Sequence, residues 1–428
     1  MTSARREKLS PVDNAWLRMD RPANLMMICG VLLFRRPLAA ARVRKMVRER
    51  FLRFDRFRER PVERDGAAYW EPATPFRLAD HVHVTRLPGD AGERELQAFV
   101  SQLMATPLSP DRPRWQFHLV TNYQGGSALI ARVHHCYADG IALVRVMLSM
   151  TDDGPDGPPA MPFAARNARR ARDVEPDVET DDPLDPLFAP LGNVMERARR
   201  IGATLIEKGA AVWNDPARAV ALAQQGSALT AEIARLTSMG QDSPTRFKGT
   251  VGEAKRVAWA DPLSLDEVKA VGKALRASVN DVLLACVAGA LRDYLVEHGD
   301  PVDGVTVRAL VPVNLRPLEQ AWKLGNRFGL VFLELPLGAA NPVERLYAVR
   351  ANMRALKDSY QPLVALGLLA AMGAGPRALQ ESLLVTLARN ATAVMTNVPG
   401  PAQPLYLAGS RIDRLMFWVP QSGDIGMG

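Results

Sequence analysis

Between Val133 and Leu143 the chain reads VHHCYADGIAL, with two adjacent histidines, a cysteine, a tyrosine and an Asp-Gly pair set between apolar runs. Those residue types allow three chemistries. A metal site fits least: His135 and Asp139 are four apart and can share a helix face, but catalytic zinc takes three protein ligands. The sequence has no HExxH and no second His/Cys cluster. Covalent catalysis fits little better. No GxSxG elbow occurs, and Cys136 directly follows His135, so on an extended segment thiol and imidazole point to opposite sides. The third chemistry is a lone histidine acting as general base. A neutral imidazole with a pKa of about 6.5 can take the proton of a hydroxyl as its oxygen attacks. No enzyme nucleophile is then needed if the acyl group is already activated, as in a thioester whose thiol leaves with a pKa of about 8.5. Asp139 would cap the following helix or pair with an arginine, and Gly140 would permit the tight turn. On residue types alone, a reacting His135 and a satisfied core histidine both stay open.

The flanking periodicities say what positions this stretch. SALIARV reads as a strand leading into the histidines and IALVRVMLSM as an amphipathic helix leaving them, so the polar residues sit at a strand end before a helix N-terminus. Upstream, the pattern predicts a helix over Val12–Asp20, a buried strand over Leu25–Phe34, a basic helix over Leu38–Leu52, a strand at Ala67–Glu71, a helix over Ala91–Ala105 and a strand over Trp115–Asn122. Residues 152–190 are rich in Pro, Asp, Arg and Ala and read as a mobile linker. Helices are predicted over Leu191–Lys208 and Ala217–Met239. A second globular half then follows, with a strand at Lys255–Trp259, helices at Leu265–Leu275 and Asn280–His298, and strands at Val305–Val313, Leu330–Leu335, Ala391–Asn397 and Leu415–Val419 completing its sheet. Alternating α and β elements in both halves argue for two α/β sandwich domains. The organisation expected is 1–151, a linker 152–190, a helical connection 191–245 and a second half 246–428.

Composition narrows the class. With 428 residues, 47% apolar and 23% charged, the chain is an ordinary folded protein, long enough for two cores. A net charge of +8 suits anionic partners, phosphate-bearing small molecules or phospholipid headgroups among them. The arginines are dispersed and no nucleic-acid module is recognisable, so no nucleic-acid partner is expected. Cys29, Cys136 and Cys286 lie far apart without CxxC spacing, which suggests neither disulfides nor a zinc cluster. The N-terminus has no apolar signal core. The apolar stretches NLMMICGVLLF and PLVALGLLAAMGAGP are too short to span a bilayer and read as buried core. A cytoplasmic protein is expected.

HHCYADG is an instance of HHxxxDG, and so resembles the CoA-dependent acyltransferase superfamily that includes chloramphenicol acetyltransferase and peptide-synthetase condensation domains. The blocks LSPVDNAWLRMDRPANLMM, PLSPDRPRWQFHLV, SVNDVLLACVAGALRDYL, VPVNLRP, LGNRFGLVFLELP and MTNVPGPAQPLYLAG resemble, in order, those of the bacterial wax ester synthase/diacylglycerol acyltransferases. The DFGWG block of plant-type relatives is absent, and PRW at Pro113–Trp115 stands where the family often has Pro-Leu-Trp. The resemblance implies an α/β fold of two chloramphenicol-acetyltransferase-like sandwich halves with mixed sheets and an active-site tunnel at their interface. It implies acyl transfer from acyl-CoA to a long-chain alcohol or to diacylglycerol, with no metal and no cofactor beyond acyl-CoA as co-substrate. It also implies His135 as general base, Asp139 and Gly140 holding the loop, and His134 orienting or packing. Asn280 and Asp281 match the family's ND pair, with a helix cap as the alternative reading, and Thr396 and Asn397 stand at a strand end where they either line the acceptor channel or only terminate the strand. Lipid acceptors imply peripheral contact with the inner membrane face or lipid inclusions. The family pattern carries a further strand and helix beyond SGDIGMG, so either a shortened second half or a fragment of a longer chain is expected. A condensation-type enzyme using carrier-bound thioesters and a silent lipid or CoA binder are the alternatives.

Overall fold

The computed structural model describes residues 7–155, 157, 232, 234–236, 238–315, 324–357, 359–398, 400, 401, 403–421 and 423–428. The predicted helix Leu191–Lys208 and nearly all of the linker and of Ala217–Met239 lie outside these residues. In chain order the first lobe contains α1 (Pro11–Met19), β1 (Met27–Phe34), α2 (Ala40–Glu49), the hairpin β2 (Glu59–Arg64) and β3 (Ala67–Pro72), β4 (Val82–Thr85), α3 (Glu93–Met104), β5 (Trp115–Val120), β6 (Ser127–His134) and α4 (Gly140–Ser149). The second contains α5 (Leu265–Ala274), α6 (Val279–Glu297), β7 (Thr306–Asn314), β8 (Phe328–Pro336), α7 (Pro342–Lys357), α8 (Gln361–Ala374), α9 (Arg377–Arg389) and β9 (Ala393–Val394). They are followed by the short hairpin β10 (Tyr406–Leu407) and β11 (Ser410–Arg411), then β12 (Arg414–Trp418).

The main sheet runs β12-β1-β6-β5-β4, antiparallel except for the parallel β5–β4 pair. Its register, Met27↔His134 through Phe34↔Ser127, sorts alternate side chains to two cores. Ile28, Leu32, Leu129, Ala131 and Val133 join one core with α1, α2 and α4. Cys29, Val31, Leu33, Ala128 and Ile130 face Leu96, Val100 and Leu103 of α3. Because both faces are covered, β1 and β6 read in sequence as continuous apolar runs instead of alternating ones. The second sheet is β9-β7-β8, with β9 parallel and β8 antiparallel to β7.

Three predicted strands are corrected. Leu415–Val419 does not complete the second sheet: as β12 it pairs with β1, from Arg414↔Leu33 to Trp418↔Cys29, and covers that strand's edge. Apolar alternation selects a face but not a partner. Lys255–Trp259 forms no ladder; Val257 N–H donates to the Ser101 hydroxyl at 2.9 Å, and Val257 and Trp259 enter the α3 core of the first lobe. Of Ala391–Asn397 only Ala393–Val394 is paired, lying between Ala309–Leu310 and Met427, and the chain beyond turns polar and partly exposed.

Helix α1 ties the lobes together. Ser10 caps it, accepting from Asp13 N–H at 3.1 Å, and Pro11 presets the first turn. Asn14 then donates to Gly373 O at 2.7 Å, Arg18 to Gly375 O at 2.8 Å and Gln380 to Ala15 O at 3.0 Å, so α8 and α9 hold α1 against the first lobe. Gly373 approaches the Pro11 carbonyl so closely that no Cβ could stand there. No single helix among the described residues is long and apolar enough to cross a membrane.

Candidate active site

Strand β6 ends at His134 and α4 begins at Gly140, leaving His135–Asp139 as the connecting loop. Backbone bonds fix its start: His135 N–H donates to Met26 O at 2.7 Å. Asp139 fixes its end. As N-cap of α4 it accepts from Ala142 N–H through Oδ1 at 2.9 Å, while Oδ2 accepts from Arg327 N–H at 3.1 Å. Gly325 N–H donates to Tyr137 O at 3.0 Å, and Asp139 N–H to Gly325 O at 3.3 Å. Gly325 sits at φ +99°, where a side chain would be strained. The loop is thereby joined to the segment that enters β8 of the other lobe.

Beside this seam runs a second tie. Asn326 donates its backbone N–H and its side-chain amide to Asp13 Oδ1, at 3.0 and 2.8 Å, and the same amide donates to His135 O at 2.7 Å. Burial pushes the Asp13 carboxyl above its usual range, though the Asn326 and Ser10 bonds oppose this. Asn326 therefore links two segments distant from it in sequence, the Asp13 carboxyl and the His135 carbonyl.

The His135 ring is 5% exposed, stacked on Trp16 at 4.0 Å between centroids with 16° between planes, and 5.6 Å from Phe328. Nδ1 is sealed without a hydrogen-bond partner, and attractions of the ring to the residue's own carbonyl and to Asn326 work against burial; Nε2 carries no hydrogen bond among the described residues. Burial pushes the His135 pKa down to about 4, with the Asp139 charge opposing, so the imidazole is neutral near pH 7. His134 differs. Its Nδ1 accepts from Cys136 N–H at 3.1 Å, which places the ring proton on Nε2, 3.5 Å from Asp20 Oδ2. Burial lowers the His134 pKa. Burial also works to raise Asp20, but His134, the Met26 N–H and Arg114 outweigh it and hold that carboxyl below its usual range.

Cys136 is fully buried and burial pushes its thiol well above the ordinary value, so it stays protonated. Tyr137 packs away as well, its hydroxyl accepting from Arg114 N–H at 3.0 Å and donating to Glu59 O at 2.6 Å. Next to the stacked Trp16 lies a narrow apolar cavity of about 40 Å³, with Met19, Leu310, Phe332, Leu368 and Met372 in its walls. Among the described residues no group of three His, Cys, Asp or Glu is arranged to hold a metal ion.

The remaining sequence-predicted residues gather elsewhere. Ser278, not Asn280, caps α6, and Asp281 accepts from Ser278 N–H at 2.8 Å while its own N–H donates to the Ser278 hydroxyl at 3.2 Å. Asn280 accepts from the Asn397 amide, three residues past β9, with half-buried Thr396 beside it in sequence. No hydrogen bond joins this pair to the His135 loop among the described residues. Sequence reasoning gave no role to Asp13, Trp16 or Asn326. Their signal was present: two polar residues inside the apolar period of PVDNAW, and a Gly-Asn pair at the entrance of a buried strand.

A two-lobed α/β fold with a buried histidine at the seam of its lobes defines the class. The family model of the wax ester synthase/diacylglycerol acyltransferase catalytic domain matches residues 9–283, and that of the WS/DGAT C-terminal domain matches residues 324–428. A Mycobacterium tuberculosis protein named "probable diacylglycerol O-acyltransferase" is 31% identical over 419 residues, which cover 95% of this chain and 86% of that one. Among solved structures, the wax ester synthase/diacylglycerol acyltransferase from Marinobacter aquaeolei VT8 matches with TM-score 0.63 at 20% identity, over 98% of this chain and 88% of that one. The starter condensation domain of rhizomide synthetase matches with TM-score 0.55 at 14% identity, over 97% and 83%. The chain belongs to the wax ester synthase/diacylglycerol acyltransferase family and is an acyltransferase.

Proposed function

We propose that the chain transfers a long-chain acyl group from acyl-CoA to a fatty alcohol or to diacylglycerol, with His135 as general base and no covalent enzyme intermediate. The observation that supports this most is the neutral His135 ring, stacked on Trp16, whose indole forms part of the wall of an apolar cavity. In this reading the ring proton resides on Nδ1 and Nε2 takes the acceptor's proton as its oxygen attacks the thioester carbon; the tetrahedral oxyanion then collapses and expels the CoA thiolate, which takes up the proton. The base starts neutral because burial has already removed its charge, and the stacking and backbone ties hold it in place at no further entropic cost. Cys136 is excluded as nucleophile by its buried, protonated thiol. Apolar tails on both substrates fit walls of Leu, Phe and Met. Acceptors of this kind dissolve in lipid, so peripheral contact with a membrane or lipid-inclusion surface belongs to the same reading.

The test is release of free CoA from palmitoyl-CoA, with hexadecanol and diacylglycerol offered separately, in wild type, His135→Ala and Cys136→Ser. Release that requires an acceptor, is lost in the histidine variant and persists in the cysteine variant is expected. Acceptor-independent release, or turnover indifferent to His135, overturns the reading.

A further inference from the structure

A second opening, of about 200 Å³, lies between α2, the segment after α4 and the β10–β11 hairpin, lined among others by Arg42, Lys45, Glu49, Arg50, Asp152 and Gly409. Its floor is fixed. Arg50 donates to Met150 O at 2.8 Å at the C-terminus of α4 and pairs with Asp152 Oδ1 at 2.7 Å, while the Asp152 backbone exchanges hydrogen bonds with Tyr406 of the hairpin. That pair cancels its own charge. Arg42 and Lys45 are different, for neither has a carboxylate or hydrogen-bond partner among the described residues. Glu49 is the acid at the same rim, and three cations thus stand against two carboxylates.

The Arg42 guanidinium lies against the hairpin although its side chain faces solvent. Gly409, at φ +85°, lies under its guanidinium: a Cβ there would meet Cζ, Nη1 and Nη2 almost equally, inside contact distance, so the flat face of the group rests on the turn. Its N–H edges are left to other acceptors. A planar, pre-placed guanidinium beside a flexible ammonium is a combination suited to phosphate.

We propose that this cleft binds the phosphates at the nucleotide end of CoA, an inference that rests on the acyl-CoA reading above. The spacing agrees with it. Helix α4 starts beside the His135 loop and ends at Met150, whose carbonyl accepts from Arg50 of the cleft, ten residues later, or about 15 Å. CoA likewise separates its thioester from its phosphates by the length of an extended pantetheine arm. Thioester at one end of α4 and phosphates at the other is the arrangement inferred.

The experiment compares palmitoyl-CoA with palmitoyl-N-acetylcysteamine, which keeps the thioester and lacks the nucleotide, in wild type, Arg42→Ala/Lys45→Ala and the control Arg48→Ala, an exposed cation of α2 outside the cleft lining. For the double variant, KM for palmitoyl-CoA should rise about tenfold or more, with kcat and melting temperature unchanged and no change in KM for the short thioester; Arg48→Ala should match wild type. A parallel rise for both thioesters, or no rise for palmitoyl-CoA, overturns the proposal. Lipid phosphates are distinguished by sedimentation with phosphatidylglycerol or phosphatidylcholine vesicles. Loss of phosphatidylglycerol binding with an unchanged palmitoyl-CoA KM assigns the cleft to a lipid headgroup and overturns the CoA assignment. If wild type turns over neither thioester, the acyltransfer reading fails, and calorimetric titration with CoA itself still decides the cleft. Binding in wild type that is lost in the double variant upholds it; no binding in wild type overturns it.

Discussion

His134 has a polar group near each ring nitrogen, the Cys136 N–H on Nδ1 and Asp20 near Nε2, whereas His135, the next residue, has an indole against its ring and no hydrogen bond on Nδ1. The difference follows from where the strand stops. His134 is the last paired residue of β6, so its side chain is directed by the pleat into a pocket already occupied by Asp20 and Arg114. His135 lies just past the ladder, and its orientation is set by contacts from both lobes. The His134 ring is held among polar groups, the His135 ring by stacking on Trp16 with its backbone tied to Met26 and Asn326.

The largest effect that tests this contrast is on turnover. His135→Ala should lower kcat by about 10²- to 10⁴-fold, the range of a lost general base, with the melting temperature nearly unchanged. His134→Ala should do the reverse: it removes one partner of Asp20, which keeps Arg114 and the Met26 N–H, and should cost on the order of 0.5–1.5 kcal/mol of stability, read as a fall in the urea midpoint, with a smaller loss of turnover. Equal turnover losses in the two variants would remove the distinction.

Next in size is the tie behind His135. Asn326→Ala should reduce kcat by about tenfold to a hundredfold, the scale of a misplacement of about 1 Å, while KM for both substrates holds. Asp13→Asn keeps an acceptor oxygen for Asn326 and should recover part of the loss that Asp13→Ala shows. A change confined to KM would mean that Asn326 contacts substrate and does not position the base.

Acidity separates the histidines from the rest of the core. His135 is pushed down to about 4 by burial and His118 to about 3 by burial and then by the Arg132 charge. As pH falls below about 6.5, the unfolded chain binds protons that these folded rings refuse. Stability is therefore full above that pH and falls through the window down to the folded values, by up to about 1.4 kcal/mol per pH unit for each ring. His118→Asn should flatten the fall in melting temperature between pH 6 and 4 without moving the rate profile. The acid limb of kcat/KM should lie well below 6.5, near the His135 value. An acid limb at 6.5 would mean that the base is solvated.

What was legible in the sequence was local. HHxxxDG announced its strand end and helix start because the pattern spans the very residues that form them, and the apolar runs of β1 and β6 reported burial on both faces. Long-range pairings were not legible. Asn326 meets Asp13 across a sequence separation of 313, and neither residue has a local pattern that names its partner. Arg414–Trp418 carried an apolar pattern that any partly covered strand would satisfy, so its pairing with β1 depended on which edge was left open. Lys255–Trp259 has strand-like composition, but its anchor is the hydroxyl of Ser101, which no strand propensity records.

The ND pair allows the same kind of split on a smaller scale. Asp281 is buried and completes a reciprocal cap with Ser278, while Asn280, next to it, turns outward to Asn397. An N3 acid in such a box satisfies a backbone donor that would otherwise be orphaned and sits at the positive end of a 19-residue helix. Asp281→Ala should therefore cost about 0.5–2 kcal/mol of stability, measured in urea, and turnover per folded molecule should change little. Asn397→Ala removes an exposed bond and should change stability by less than about 0.5 kcal/mol. If it nevertheless shifts the KM of the alcohol, the Asn280–Asn397 pair borders the acceptor path, and the distance between it and the His135 loop is spanned by substrate instead of by protein hydrogen bonds.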